Sequence, residues 1–477
     1  MSTTMTPENN NVVTLPFTGL PSEERKLPIP EIPTPKSDKI FEQVEKLKKV
    51  SSYKSQFDYD TYRKLELRFG LEQPRGGIVF NTPFKLVNSH TTCQQCLYAF
   101  ELDTYGRGCT HDCVYCYAKA ELTVHGYWNK PFPMPVDVSD IWKTFYTVFE
   151  TDKNSKWRSV MEKRVPLRIG SMSDSFMHMD QKYGVTKELL RILDYYKYPY
   201  LVFTRSDLVA HDDYMNLLNP DLCSVQMSIS STNDEMNKLI EKGAPSAKRR
   251  LKALQKLTQN GFWTTVRLNP FFPIYADGYF TNPNFDRDNM PEPFHYSSFE
   301  MIDEIAQYGV QSILAGIVRL SSFGLNQMES AIGRDLHALY RPETKKQSGF
   351  VNETNKKSRD FHYSDEEIRA YYERIHAKCL QNGIQFTTCY IGNGETHFWK
   401  DQDLWTNKKD CCNAIDRVKS FANIDTSRDI SWEQRMKFTN HKLLKPVKEE
   451  TLHIPLGQPL QITTGSVEIN KDFGFEI

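Results

Sequence analysis

Residues 97–118 read LYAFELDTYGRGCTHDCVYCYA. The first six form a short β-like run that feeds directly into a loop holding Cys109, Cys113 and Cys116 in a C-x3-C-x2-C array. Thiolate is a soft ligand that suits zinc and the iron of iron–sulfur clusters far better than magnesium or calcium. Three thiolates in one loop are one fewer than a closed structural zinc site takes. On a 4Fe–4S cube they would leave one iron open to a ligand that is not protein. The alternative is a zinc knuckle that borrows its fourth ligand from elsewhere in the chain. Gly106 and Gly108 before the array, Tyr115 within it and Tyr117 after it make the stretch more specific than its spacing alone.

Downstream of this loop, apolar runs alternate with amphipathic stretches. Strands are expected at 166–169, 200–204, 224–229, 263–268 and 312–318, with helices at 138–150, 187–196, 247–259 and 298–308. Such alternation argues for parallel βα units. Six units, counting the strand before the cysteines, make an α/β fold: a partial, open (β/α)6 TIM-like barrel. Barrels of this kind bind ligands at the C-terminal ends of their strands. Upstream, residues 1–36 read as a proline-punctuated arm and 37–94 as an N-terminal extension with a short amphipathic helix at 40–49 and β-like runs at 78–80 and 84–87. The barrel takes 95–332. A C-terminal extension, 333–477, opens with a polar surface loop at 341–360, then a helix at 365–381 and a strand at 384–390; no motif is legible after about residue 427.

The strand ends offer small polar or charged residues where bulky apolar ones are the rule. After 166–169 comes Gly170-Ser171-Met172-Ser173-Asp174-Ser175, whose hydroxyls and carboxylate can accept hydrogen bonds from an ammonium group; the plainer alternative is a serine-rich turn. After 200–204 comes Arg205, a planar fork matched to a carboxylate, or an ordinary surface arginine. Alternation puts Ser228 and Ser230 on one face, and Arg267 and Asn269 on another inward-facing side, where the second pair could serve a cofactor or merely cap the barrel.

Composition narrows the setting. The 477 residues carry 60 Lys+Arg and 60 Asp+Glu, so the balance gives no support to a non-specific nucleic-acid binder, which is usually basic. No apolar run approaches the roughly 18–20 residues needed to span a bilayer, and the N-terminus lacks a signal-peptide pattern, so no membrane partner and a cytoplasmic setting are expected. Five of the ten cysteines fall between Cys93 and Cys116, a clustering that points to metal and not to a disulfide framework.

The array, taken with the motifs that follow in order, resembles the radical S-adenosylmethionine superfamily, and within it the spore photoproduct lyase-like group. Those motifs are Gly170 to Asp174, Lys182 to Thr186, Phe203 to Ser206, Ser228 to Ser231, Glu241 to Ser246, Arg249 to Leu251 and Val266 to Pro273. The likeness covers roughly residues 95–320. It implies that Cys109, Cys113 and Cys116 hold a 4Fe–4S cluster whose open iron chelates S-adenosylmethionine, which is split to a 5′-deoxyadenosyl radical. It also implies that Tyr115 and Tyr117 line the cofactor, that Ser171, Ser173 and Asp174 meet its amino group, Arg205 its carboxylate, and Ser228 and Ser230 its ribose side. A reductant such as flavodoxin or ferredoxin would supply the electron. The substrate, whether nucleic acid, protein or small molecule, is not legible.

One departure weakens lyase chemistry. Where the lyase carries a cysteine that donates a hydrogen atom, this chain has Ser171, whose O–H bond is too strong for that task. Cys93, Cys96, Cys389, Cys411 and Cys412 are candidates for a second iron–sulfur cluster or a zinc; the plainer reading is buried small hydrophobes or a redox pair. A reading from another class is a zinc-stabilised adaptor that binds nucleic acid or protein without catalysis.

Overall fold

Eight strands lie side by side in the order in which the chain makes them. They are β1 (Phe84–Leu86), β2 (Phe100–Leu102), β3 (Leu167–Ile169), β4 (Tyr200–Thr204), β5 (Cys223–Ser228), β6 (Trp263–Phe271), β7 (Ser312–Ile317) and β8 (Gln385–Thr388). This computed structural model describes residues 84–86, 97–98, 100–106, 108–124, 128, 133–136, 138–274, 286–290, 292–293, 296–336, 341–342, 360–389 and 401–421. The expected arm at 1–36, the helix at 40–49, the run at 78–80, Cys93 and Cys96, most of the 341–360 loop and everything after 421 lie outside the described residues.

β1 runs antiparallel to β2, while β2 to β8 are all parallel. Sequential parallel strands that never reverse order are the winding of a barrel and not of a doubly wound sheet. The open α/β architecture expected from the sequence is therefore present, with seven parallel strands where six were counted. The seventh, β8, pairs Gln385 with Ser312 and Thr388 with Ala315, and it comes from residues assigned by sequence to the C-terminal extension.

Helices α1 (Tyr117–Val124), α2 (Val138–Glu150), α3 (Val185–Tyr195), α4 (Asp234–Ile240), α5 (Ala247–Gln259), α6 (Met301–Ala306), α7 (Ser322–Ile332) and α8 (Asp365–Gln381) fill the connections. Their starts are set by side chains: Asn233, Ser246 and Ser321 each accept an amide from the first turn, and Ser364 with Glu367 forms a capping box. Each such cap contributes about 1 kcal/mol. The apolar stripe of α3, led by Leu189, Leu190 and Leu193, is fully buried. Beside it Phe145 meets Tyr196 and Tyr198 with ring centres 5.3 and 5.4 Å apart.

The interior of the sheet's concave side is filled from below by residues 401–421. Trp405, Cys411, Cys412, Ile415, Val418 and Phe421 pack with Tyr98, Leu201 and Leu314. Buried polar groups fix this segment in place. Asn413 bonds Ser312 at 2.9 Å and Gln385 at 2.8 Å, the Trp405 indole bonds Thr388 at 2.7 Å, and Tyr98 donates to Asp410 at 2.6 Å. Ser420 meets Asp221, just before β5, so the segment reaches the N-terminal end of the strands. At the C-terminal ends of the strands, where such barrels take ligands, the segment meets Thr388, the last residue of β8.

Candidate active site

The cysteine array forms a loop between the Tyr105–Gly106 strand and α1. Two short turns shape it: Asp112 N–H bonds Cys109 C=O at 3.3 Å, and Cys116 N–H bonds Cys113 C=O at 3.2 Å. The turn after α4 holds it from one side. Val114 N–H donates to Ile240 C=O, and Gly243 N–H donates to His111 C=O, both at 2.9 Å. No larger residue fits at Gly243, since a Cβ there would stand 1.9 Å from the Thr110 carbonyl oxygen.

The turn after β3 holds the loop from the other side. Ser173 donates to Gly108 C=O at 2.8 Å, Tyr117 donates to Ser171 C=O, and His111 Nε2 lies 2.9 Å from Asp174 Oδ2. Asp174 also accepts from Phe176 N–H at 2.9 Å, the Thr204 hydroxyl at 2.8 Å and Arg205 N–H at 2.6 Å. Burial opposes its ionisation, yet His111 and these donors hold its carboxyl below the ordinary value. Four donors occupy the roughly four acceptor sites of a carboxylate. Asp174, expected to meet an ammonium, is thus a brace that ties the loop to two strand ends. Ser171 is likewise engaged, donating to Glu101 at 3.0 Å and Asp103 at 3.3 Å.

Beside the loop stands a charged network that sequence reasoning did not assign. Glu241, fully buried at the end of α4, accepts from Arg205 at 2.5 Å, from Arg250 at 2.6 Å, from Tyr296 at 3.2 Å and from Tyr115. Burial works against its ionisation, but Arg250, Arg205 and the Tyr115 hydroxyl hold its carboxyl down to about 2. Two guanidiniums on one carboxylate leave a net positive charge. Arg205 gives Glu241 one nitrogen, lies 5.3 Å over the Tyr115 ring and, among the described residues, gives the rest of its fork to no other side chain. Tyr115 reaches Ser230 at 3.1 Å, so Ser230 belongs to this network, while half-buried Ser228 meets it through its backbone C=O, which accepts from Arg250 at 2.7 Å. The legible signals were an isolated acid closing the apolar turn Leu239-Ile240, and Gly243 two residues on.

Deeper in the barrel, Arg267 lies 4.3 Å over Phe203 and bonds Gln226 at 2.6 Å, whose amide bonds Cys412 C=O at 3.1 Å. Asn269 lies across Gly316 of the neighbouring strand, where a Cβ would stand 2.9 Å from its carboxamide. Arg267 and Asn269 therefore face the interior together but stand apart from the Arg205 network. Cys389, Cys411 and Cys412 share one cluster here. Cys93 and Cys96, the other two candidates for a second metal site, lie outside the described residues.

A cluster-binding donor set can be checked against the loop. Among the described residues no group of three or more His, Cys, Asp or Glu is arranged around a single metal ion. Burial pushes all three array thiols up; at Cys109, Asp174 and then Cys113 and Cys116 add to the rise. Thiols that oppose one another's ionisation while Arg205 favours it at Cys113 and Cys116 need a cationic centre to become thiolates together. Soft donors in that setting fit iron of an iron–sulfur cluster.

No helix among the described residues is long and apolar enough to cross a membrane. No family model matches the chain. An uncharacterized protein of the Acidianus two-tailed virus is 26% identical over 238 residues, 47% of this chain and 69% of that one. An uncharacterized protein of Methanocaldococcus jannaschii is 26% identical over 174 residues, 36% of this chain and 60% of that one. Among solved structures, a spore photoproduct lyase mutant with bound AdoMet and dinucleoside spore photoproduct is 16% identical, with a TM-score of 0.47, over 69% of this chain and 94% of that one. The lyase complexed with dinucleoside spore photoproduct gives 16% and 0.45 over the same shares. The structures that this chain is similar to are thus those of spore photoproduct lyase, a radical S-adenosylmethionine enzyme, while its fold rests on the strand order above.

Proposed function

We propose that the protein is a radical S-adenosylmethionine enzyme. Cys109, Cys113 and Cys116 would hold a 4Fe–4S cluster, which when bound supplies an electron that cleaves S-adenosylmethionine to a 5′-deoxyadenosyl radical for hydrogen abstraction. The observation that carries this reading is the bracing of a three-thiol loop at the C-terminal end of a parallel sheet, with a net positive arginine–glutamate–arginine network at its side.

Each residue then has a physical task. Ser173, Asp174, His111 and Gly243 fix the loop, so the three sulfurs keep one spacing. Arg205, oriented by Glu241, offers its remaining donors to the cofactor carboxylate, and Arg250 prevents Glu241 from neutralising it. Tyr115, bonded to Ser230, backs Arg205 with its ring face, and Tyr117, 61% exposed, offers a ring on which an adenine could stack. Because Asp174 and Ser171 are already bonded, the ammonium of the cofactor is left to backbone carbonyls of the 170–175 turn.

The reading stops at hydrogen abstraction. Ser171, bonded to Glu101 and Asp103, stands where the resemblance expects a hydrogen-donating cysteine, so repair of a thymine photoproduct is not assigned. The test is anaerobic reconstitution with iron and sulfide, reduction with dithionite and addition of S-adenosylmethionine. Formation of 5′-deoxyadenosine, lost in Cys113→Ala, is expected; a reconstituted wild type that forms none refutes the proposal.

A further inference from the structure

Inside the barrel, near the C-terminal ends of the strands, a cation and a carboxamide stand without partners to match them. Arg267 and Asn269, two residues apart on β6, project to the same side. Arg267 is half-buried, with its guanidinium 4.3 Å over the Phe203 ring of β4. One of its nitrogens donates to the neutral side chain of Gln226 at 2.6 Å. Gln226 in turn donates to the Cys412 carbonyl of the 401–421 segment at 3.1 Å, which gives the guanidinium a floor. The half-buried Asn269 carboxamide lies flat across Gly316 of β7, where a Cβ would meet its carbon, nitrogen and oxygen at 2.9, 3.0 and 3.0 Å.

Charge makes this arrangement a site. Among the described residues no carboxylate pairs with Arg267, and no side-chain hydrogen bond occupies the Asn269 carboxamide. The acids of the β2 end are engaged elsewhere. Glu101 pairs with Arg168 and accepts from the Ser171 hydroxyl at 3.0 Å, and Asp103 accepts from the Ser171 and Met172 amides at 2.7 and 3.1 Å. Arg168, 5.5 Å from the same Phe203 ring, is thus a balanced cation beside an unbalanced one. A cation withdrawn from water without a counter-charge is costly, and a neutral ligand leaves that cost in place. An oxyanion removes it: the remaining N–H donors of the guanidinium form a fork matched to two oxygens, and the carboxamide adds a further donor.

We propose that Arg267 and Asn269 anchor the substrate, and that the substrate carries an oxyanion, a phosphate or a carboxylate, which this pair receives inside the barrel. That the ligand is a substrate rests on the radical S-adenosylmethionine reading; that the site takes an anion rests on the pair alone. Arg205 serves the cofactor carboxylate from its separate network, so two anions are held by two arginines. Arg267 holds the oxyanion by charge, Phe203 and Gln226 fix the plane of its guanidinium, and Gly316 leaves the room that the Asn269 carboxamide fills.

The test uses the full chain with simple anions as probes. Phenylglyoxal modifies accessible guanidiniums, and peptide mapping by mass spectrometry reads the rate at each arginine. At saturation, inorganic phosphate or acetate should slow modification of Arg267 roughly tenfold relative to chloride at equal ionic strength. The exposed Arg191 and Arg249 should react alike in all three salts. Protection by phosphate alone identifies a phosphate ester, and protection by acetate a carboxylate. Thermal unfolding gives a second readout. The protecting anion should raise the Tm of the wild type, additively with S-adenosylmethionine in the reconstituted protein, and leave that of Arg267→Gln unchanged. Asn269→Ala should weaken binding roughly tenfold, the loss of one hydrogen bond to a charged group. Circular dichroism checks that each variant folds. Arg267 labelled equally in all three salts, an anion shift that survives in Arg267→Gln, or an anion and S-adenosylmethionine that exclude one another overturns the proposal. Anion binding in a protein that forms no 5′-deoxyadenosine removes the cofactor reading and leaves the anion site standing.

Discussion

Glu241→Gln gives the sharpest test of how the site is held. The change keeps volume and one acceptor oxygen but removes the charge between Arg205 and Arg250. Glu241 and Arg250 are 0% exposed and Arg205 is 16% exposed, so water cannot replace the lost partner. Breaking a buried ion pair from one side costs roughly 3–5 kcal/mol. The carboxyl itself leads to a similar figure. It is held from an ordinary 4.5 to about 2, and at 1.36 kcal/mol per unit that is worth about 3 kcal/mol. The sign follows from a folded-state pKa below the unfolded one: the stabilisation is present above pH 4.5 and is lost as pH falls toward 2. Urea unfolding followed by tryptophan fluorescence, run from pH 7 to pH 3, measures both effects. The variant should lose roughly 3–5 kcal/mol at neutral pH and show a shallower decline in acid. Removing the second cation with Arg250→Met should restore part of the loss. A neutral-pH loss under about 1 kcal/mol, or parallel acid profiles, refutes the reasoning.

Three further outcomes follow from particular contacts. Gly243→Ala puts a methyl 1.9 Å from the Thr110 carbonyl oxygen, so the array must shift; iron incorporation should fall severely while far-ultraviolet circular dichroism stays near wild type. Asp174→Asn turns an amide donor toward groups that are themselves donors, which should cost roughly 2–4 kcal/mol in thermal or urea unfolding, since each unsatisfied buried group costs about 1–3. Trp405→Ala empties the centre of the interior cluster and frees Thr388; a loss of roughly 3–5 kcal/mol is expected, with β8 the first element to gain amide exchange.

The parallel sheet was legible because its strands are buried on both faces and its helices carry clean apolar stripes. The predicted runs at 200–204, 138–150, 247–259 and 365–381 coincide with β4, α2, α5 and α8. The seventh parallel strand was found as a strand, but its pairing with β7 was hidden because a long polar stretch separates the two. Of the site, the thiol loop was legible from spacing and Arg205 from its place at a strand end. The task of Asp174 was not, because its partners come from residues 111, 176, 204 and 205, which only the fold brings together. Glu241 was missed for the same reason: its role is defined by two arginines, 36 residues before and 9 after.

The central claim is that three thiolates leave one iron of a cube open to S-adenosylmethionine. Mössbauer and electron paramagnetic resonance spectroscopy of the full chain reconstituted anaerobically with iron-57 and sulfide tests it most directly. One iron should differ from the other three, and adding S-adenosylmethionine should change the signal of that iron and of the reduced cluster. Zinc without iron in protein purified anaerobically, or a reconstituted cluster whose spectra ignore S-adenosylmethionine, contradicts the account.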